Sequence, residues 1–161
     1  LQGVGESLPY IDKSFGFANL CEVLEHVQDP KKVLEETFRV LEVGGEAYLS
    51  VPNRFGLKDQ HFHLYFINWL PRSLSDSVIA MFGRHKSYDG TAGLQRLSEM
   101  HYFTYSSITK LTQSVGFKSQ DIREEKLNKR FDGFPRYIAL LLYKIMRPFY
   151  FDSFHLKLVK K

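Results

Sequence analysis

The sequence predicts an α/β domain with neighbouring strands in parallel. Three features carry that expectation: the short, almost continuous apolar run over residues 15–21, the amphipathic stretch over 30–41, and the alternating segment over 46–51. An apolar run without alternation, FGFANLC, suits a strand buried on both faces of a sheet. Asp29-Pro30 offers an N-cap and a proline for the first helical position, and Val33, Leu34, Thr37, Phe38 and Leu41 follow at helical spacing. Gly44-Gly45 is expected to end that helix and turn the chain. Ala47, Leu49 and Val51 then alternate until Pro52-Asn53 stops the strand. Strand, helix and strand in this order make a βαβ unit with a right-handed crossover. Ligands of such sheets sit at the carboxyl ends of the strands, which singles out residues 21–26 and 52–54.

Residues 54–101 break the pattern. They hold four of the six histidines and the single tryptophan, Trp69. A short helix is expected over 71–82, with Leu74, Val78, Ile79 and Phe82 on one side, and the rest is expected to form an inserted cap. Regular structure then resumes. Thr104 can cap a helix, with Phe103 and Ile108 placed for a hydrophobic staple. Ile108, Leu111, Thr112 and Val115 form its apolar stripe, and Gly116 suits its C-terminus. A strand is expected over 117–123, a strongly apolar helix over 135–146, and a closing strand in which Phe154, Leu156 and Leu158 alternate with polar neighbours.

A chain of 161 residues, 43% hydrophobic and 25% charged, supports a single domain, 1–161, with a real core. It excludes a large multidomain enzyme and a disordered tail. The lone cysteine, Cys21, excludes an intrachain disulfide framework and a multi-cysteine zinc site, and suits a reduced, cytoplasmic setting. Charge is unevenly spread: residues 1–53 carry four basic and nine acidic side chains, residues 102–161 twelve and five. The basic last third is open to an anionic substrate, a membrane surface or plain solvation. No base-stacking motif or helix-turn-helix pattern is present, so no nucleic-acid partner is expected. Residues 136–151 place aromatic and aliphatic side chains beside Arg136, Lys144 and Arg147. That segment either docks peripherally on an anionic bilayer or packs on the sheet, and it is too short to span one. The N-terminus shows no charged region followed by an apolar core, and its start reads as the interior of a longer chain.

Residues 5–53, GESLPYIDKSFGFANLCEVLEHVQDPKKVLEETFRVLEVGGEAYLSVPN, resemble the middle of a class I S-adenosylmethionine-dependent methyltransferase. The specific elements are E-S-L-P before the first strand, V-L-E-H after it, D-P with R-V-L in the helix, and G-G leading to V-P-N. HYFTYSSITKL with Gly116-Phe117 is similar to the family's next helix and strand, and FHLKL to its closing antiparallel strand. The resemblance implies a Rossmann-like sheet in the order 3-2-1-4-5-7-6, of which this chain holds the equivalents of strands 4, 5, 6 and 7, with an inserted cap. It implies S-adenosylmethionine as cofactor and a small-molecule methyl acceptor. The glycine-rich loop after strand 1 and the acid after strand 2 are absent, and Gly3-x-Gly5 does not replace them. Tight cofactor binding is therefore not expected of these residues alone. The resemblance also implies that Val4, Gly5 and Glu6 lie near the adenine, with Val4 in place of the family's frequent acid. Cys21, Glu22 and His26 are implied near the methionine end.

A methyl acceptor must lose a proton as it attacks, so a base at the pocket makes chemical sense. His26, His61 and His63 are the candidates, and each can instead serve as a local packing or loop residue. Asn53, Arg54, His61, His63, Tyr65 and Trp69 are candidate acceptor contacts, with Arg54 suited to an anionic group. His61-x-His63 with Asp59 and His101 resembles a chelating cluster, but no further ligand falls at a diagnostic spacing, so no metal is expected. The expected function is methyl transfer to an oxygen, nitrogen or carbon of a small molecule. The alternative is a non-catalytic partial fold that binds a partner or a second copy through an unpaired sheet edge.

Overall fold

A computed structural model describes residues 2–83 and 95–161. Residues 84–94, inside the expected cap, lie outside the described residues, as does Leu1. The chain forms β1 (Phe15–Cys21), α1 (Pro30–Val40), β2 (Leu41–Pro52), α2 (Arg72–Met81), α3 (Tyr105–Val115), β3 (Phe117–Asp121), α4 (Ile122–Arg130), α5 (Gly133–Met146) and β4 (Ser153–Lys160). Single 3-10 turns at Ile67–Trp69 and Leu97–Glu99 interrupt the cap.

The four strands make one sheet in the order β1-β2-β4-β3. β1 and β2 are parallel, with Cys21 beside Ser50. β4 runs antiparallel to both of its neighbours, pairing Ser50 with His155 and Asp121 with Leu156. This is the implied order 4-5-7-6. The carboxyl ends of β1, β2 and β3 therefore share one end of the sheet with the start of β4. The inner face carries Ala47, Leu49, Val51, Leu156 and Leu158, all at most 1% exposed, against Leu34 of α1 and Ile108 of α3. Burying such a set removes apolar area from water at about 25 cal/mol per Å² and supplies the main driving force for this layer. β1 stands at the sheet edge, and Phe17 on it is 60% exposed.

Local chemistry explains where these elements start and stop. Asp29 Oδ1 accepts from the backbone N–H groups of Lys31 (3.0 Å) and Lys32 (3.1 Å), as an N-cap should. Thr104 and Ser107 cap α3 reciprocally, and Gly116 closes it at φ 112°. The end of α1 differs from expectation. No glycine turn follows it. The helix passes directly into β2 at Leu41, and the buried Lys160 ammonium donates to the carbonyls of Phe38 (2.5 Å) and Leu41 (2.7 Å). A cation thus takes the carbonyls that a C-terminal glycine motif would have satisfied. Gly44-Gly45 instead lies inside β2, where the pairing with β1 skips from Phe15–Leu41 to Phe17–Glu46. A Cβ on Gly45 would sit 2.9 Å from the Glu42 carbonyl oxygen and 3.3 Å from that of Gly16, so this close approach requires glycine.

Three further expectations are corrected. β3 ends at Asp121, whose Oδ1 accepts from the N–H groups of Arg123 and Glu124 and starts α4, a helix the weak alternation there concealed. α2 buries Ser75 and Ile79, whereas Leu74 and Phe82 are exposed. α5 is not packed on the sheet, since Tyr143 is its only buried residue. The cap has a small core of its own, Phe62, Ile67, Ile79, Leu97 and Met100. Its two ends meet beside β2, where the Arg54 N–H donates to the Phe103 carbonyl (2.8 Å) and the Phe103 N–H to that of Pro52 (3.1 Å).

Candidate functional site

A cavity of about 700 Å³ opens at the carboxyl ends of β1 and β2. Its floor is polar and comes from the strands: Cys21, Glu22, Ser50, Ser153 and His155. Its walls come from two excursions of the chain, Leu57 and Tyr65 from the cap on one side, Arg123, Tyr150 and Phe151 from the segment between β3 and β4 on the other. Glu22 takes φ 54°, a left-handed conformation that a non-glycine residue adopts at a cost and that clusters at functional turns. The Glu22 N–H donates to the Ser50 carbonyl, and its carboxylate accepts from the Ser50 hydroxyl at 2.5 Å. Cys21 beside it is exposed.

His155 is the histidine that this cavity contains. Its Nδ1 lies 2.7 Å from the Tyr48 hydroxyl and its Nε2 2.9 Å from the Ser153 hydroxyl. Burial first, and then the nearby Arg123 charge, hold its pKa below the usual imidazole value. The ring is neutral at physiological pH, so one nitrogen donates and the other accepts. Burial likewise raises the Tyr48 phenol above its ordinary value. Tyr48, Ser50, Ser153, His155 and Arg123 escaped the sequence reading. The signal that could have found them is the β2–β4 register, which sequence alternation in two strands a hundred residues apart does not supply.

The expected bases gather elsewhere. His26 and His61 flank Glu25, with each Nε2 3.8–3.9 Å from Glu25 Oε1 and ring centres 5.2 Å apart. Glu25 is wholly buried, accepts no side-chain hydrogen bond among the described residues, and burial pushes its carboxyl up to about 8. His61 Nδ1 meets the Tyr102 hydroxyl at 2.9 Å, and that hydroxyl donates to Asp59 Oδ2 at 2.6 Å. One carboxylate oxygen and two imidazole nitrogens, all within 4.8 Å of one another, can share a proton or hold a divalent cation. His63, the other histidine of the His61-x-His63 pair, is exposed at φ 57° and is not part of this group. Asn53 is buried and spends its amide on the carbonyls of Pro148 and Phe151 (3.0 and 2.8 Å). Arg54 donates to the Leu70 carbonyl at 3.0 Å. Tyr65 lines the cavity, while Trp69 lies outside it, 47% exposed. Glu6 uses its carboxylate on the N–H groups of Gln28 (3.0 Å) and Asp29 (3.4 Å), which ties the Val4–Ser7 turn to the loop after β1.

The family described as "Methyltransferase domain" matches residues 1–49. A ubiquinone biosynthesis O-methyltransferase of Pseudomonas savastanoi pv. phaseolicola is 30% identical over 135 residues, covering 76% of this chain and 55% of that protein. A demethylmenaquinone methyltransferase of Listeria welshimeri is 32% identical over 122 residues, covering 73% and 47%. The chain thus spans about half the length of these curated relatives. Among solved structures, a Thermotoga maritima SAM-dependent methyltransferase superposes with TM-score 0.58 at 17% identity over 100% of this chain and 63% of that one. A Methanosarcina mazei SAM-dependent methyltransferase gives 0.53 at 20% identity, over 98% and 65%.

The cofactor of this family is S-adenosylmethionine, and the residues present fit one end of it. The Glu22 turn opens into the cavity and offers carboxyl oxygens to a ligand there. Gly5 is held close to α1, where a Cβ would meet Val33 at 3.2 Å. Sequence over residues 1–49 and fold over the whole chain agree: this is a class I S-adenosylmethionine-dependent methyltransferase fold, represented by the counterparts of its fourth to seventh strands.

Proposed function

We propose that the protein methylates a hydroxyl of a small, largely apolar ring compound held in the cavity between the cap and the β3–β4 segment. The observation that carries this reading is His155, 2.7 Å from the Tyr48 hydroxyl and 2.9 Å from that of Ser153, on a polar floor beneath walls in which Leu57, Tyr65, Tyr150 and Phe151 stand beside Lys58, Gln60, Arg123 and Asp152. The two relatives named above, a ubiquinone biosynthesis O-methyltransferase and a demethylmenaquinone methyltransferase, support a ring acceptor. S-adenosylmethionine, when bound, supplies an electrophilic methyl on a sulfonium. Glu22 and Cys21 form the side of the cavity toward it. His155, with Ser153, is placed to take the proton that the acceptor O–H loses as its oxygen takes the methyl and the sulfonium–methyl bond breaks. Tyr48 hydrogen-bonds the opposite ring nitrogen and holds the ring in place. Arg123, which also donates to the Ser153 carbonyl at 2.8 Å, disfavours a resident imidazolium and returns the proton to water.

The test is S-adenosylhomocysteine formation with a panel of catechols and hydroxyquinones, and the His155→Gln variant. The variant should lose roughly a hundredfold in kcat with little change in KM, a typical loss for a general base. No product with any acceptor, or an unchanged rate in the variant, would overturn the reading. One observation favours a second reading, a non-catalytic fold that pairs through β1: that edge strand exposes Phe15 and Phe17. Light scattering that shows a monodisperse monomer would count against it.

A further inference from the structure

α5 is a fourteen-residue helix that buries only Tyr143. Phe134 (76% exposed), Tyr137, Leu141, Leu142 and Ile145 stand in water. The apolar surface continues past the helix end. Phe149 packs on Trp69 (ring centres 5.9 Å apart) and near Phe55 (6.4 Å), and Trp69 on Phe66 (5.7 Å), and all four are at least 36% exposed. Tyr150 and Tyr65, at the ends of this strip, also line the cavity. A contiguous apolar strip of this extent on a soluble surface marks an interaction site.

Charge decides the occupant. Lys126, Arg130 and Arg136 border the strip and meet no carboxylate among the described residues, whereas Lys144 and Arg147 are paired with Glu124. Between α4 and α5 an apolar groove of about 370 Å³ is lined by Leu127, Ala139, Tyr143 and Phe151 together with Lys126 and Arg130. A second copy would bring these same cations together, which costs energy. An anionic amphiphile satisfies both the cations and the apolar floor. No helix among the described residues is long and apolar enough to cross a membrane, so α5 would lie in the plane of the interface. We propose that α5 and the aromatic side chains of the cap dock the protein on the surface of an anionic lipid bilayer, with the cavity mouth at the lipid boundary.

The single tryptophan, Trp69, reports the contact without a label. Vesicles of phosphatidylcholine with 30–40% phosphatidylglycerol, a fraction chosen at roughly bacterial anionic content, should co-sediment the protein and shift Trp69 emission to the blue. Pure phosphatidylcholine should bind at least tenfold less, and 0.5 M salt should release most of the protein, as Debye screening to under about 5 Å requires. Leu141→Glu with Ile145→Glu, and separately Arg130→Glu with Arg136→Glu, should each weaken binding about tenfold or more. Leu141, Ile145 and Arg130 are exposed and Arg136 is half-buried, and circular dichroism checks the fold. Absence of binding by the folded parent at low salt would overturn the proposal. So would binding of either variant as tight as the parent's, or a dimer that Leu141→Glu with Ile145→Glu dissolves, which would make a second copy the occupant.

Discussion

Replacing Glu25 with glutamine should stabilise the protein at neutral pH. Folded, the buried carboxyl keeps its proton to about pH 8, and unfolded it loses it near 4.5. Below pH 4.5 both states hold the proton and burial makes no pH-dependent difference. Between 4.5 and 8 the unfolded chain has released it and the folded chain has not, so stability falls by about 1.4 kcal/mol per pH unit. At pH 7 the loss is about 3 kcal/mol and above pH 8 about 5 kcal/mol. These are ceilings, because an imidazolium at His26 or His61 would relieve part of the penalty. Glutamine keeps the shape and carries no such proton. Urea unfolding of parent and variant at pH 4.5, 6 and 7.5 measures the difference. EDTA is included so that no cation on Glu25, His26 and His61 supplies the missing counter-charge. The curves should coincide at the lowest pH and diverge steadily above it, the variant being more stable. Parallel pH dependences, or a variant less stable at pH 7.5, would refute the burial argument.

Asn53→Ala should cost about 3 kcal/mol in urea unfolding, since the wholly buried amide leaves the Pro148 and Phe151 carbonyls without their donor. Amide exchange in residues 147–152 should rise with it, because that side chain fastens the turn to β2. Lys160→Met keeps the stem's length and removes the ammonium that closes α1. It should cost about 2–3 kcal/mol, and Lys160→Arg should recover part of the loss. A variant as stable as the parent would show that water serves those carbonyls equally well.

How much was legible in the sequence follows the range of the interactions. β1 and α1 are legible nearly to the residue, and β2 at its end but not its start, because their signals are local: an apolar run, Asp29-Pro30 as a helix start, a helical stripe. Thr104 and Gly116 marked α3 for the same reason. The Gly44-Gly45 turn was misplaced because the true helix stop, Lys160, lies about 120 positions away. The site was harder still. His155 looked like the outward residue of an alternating strand, and only pairing with Ser50 brings it over the floor. Glu25, His26 and His61 come together across thirty-four intervening positions, and no spacing rule predicts that. α5 failed in another way: an apolar helix usually buries its face, and this one does not.

The two segments that most resist sequence reading, 54–102 and 122–152, leave the sheet at one end for a topological reason. β2 and β3 both run antiparallel to β4, so excursions after either leave from the end of the sheet where β1 also ends. Asn53 then fastens the base of one to the turn of the other, and Phe149 packs on Trp69 above that link. Tyr48, Ser50, Ser153 and His155 sit on strands, fixed by ladder hydrogen bonds and a packed inner face. Leu57, Tyr65, Tyr150 and Phe151 sit on the excursions, outside the ladder. In the proposed reading, proton handling and acceptor choice rest on separable parts: substitution in the walls can reshape the cavity without moving the hydrogen bonds of the floor. The same excursions carry the exposed apolar strip, so the surface that would meet a bilayer and the surface that would meet the acceptor are two sides of one structure.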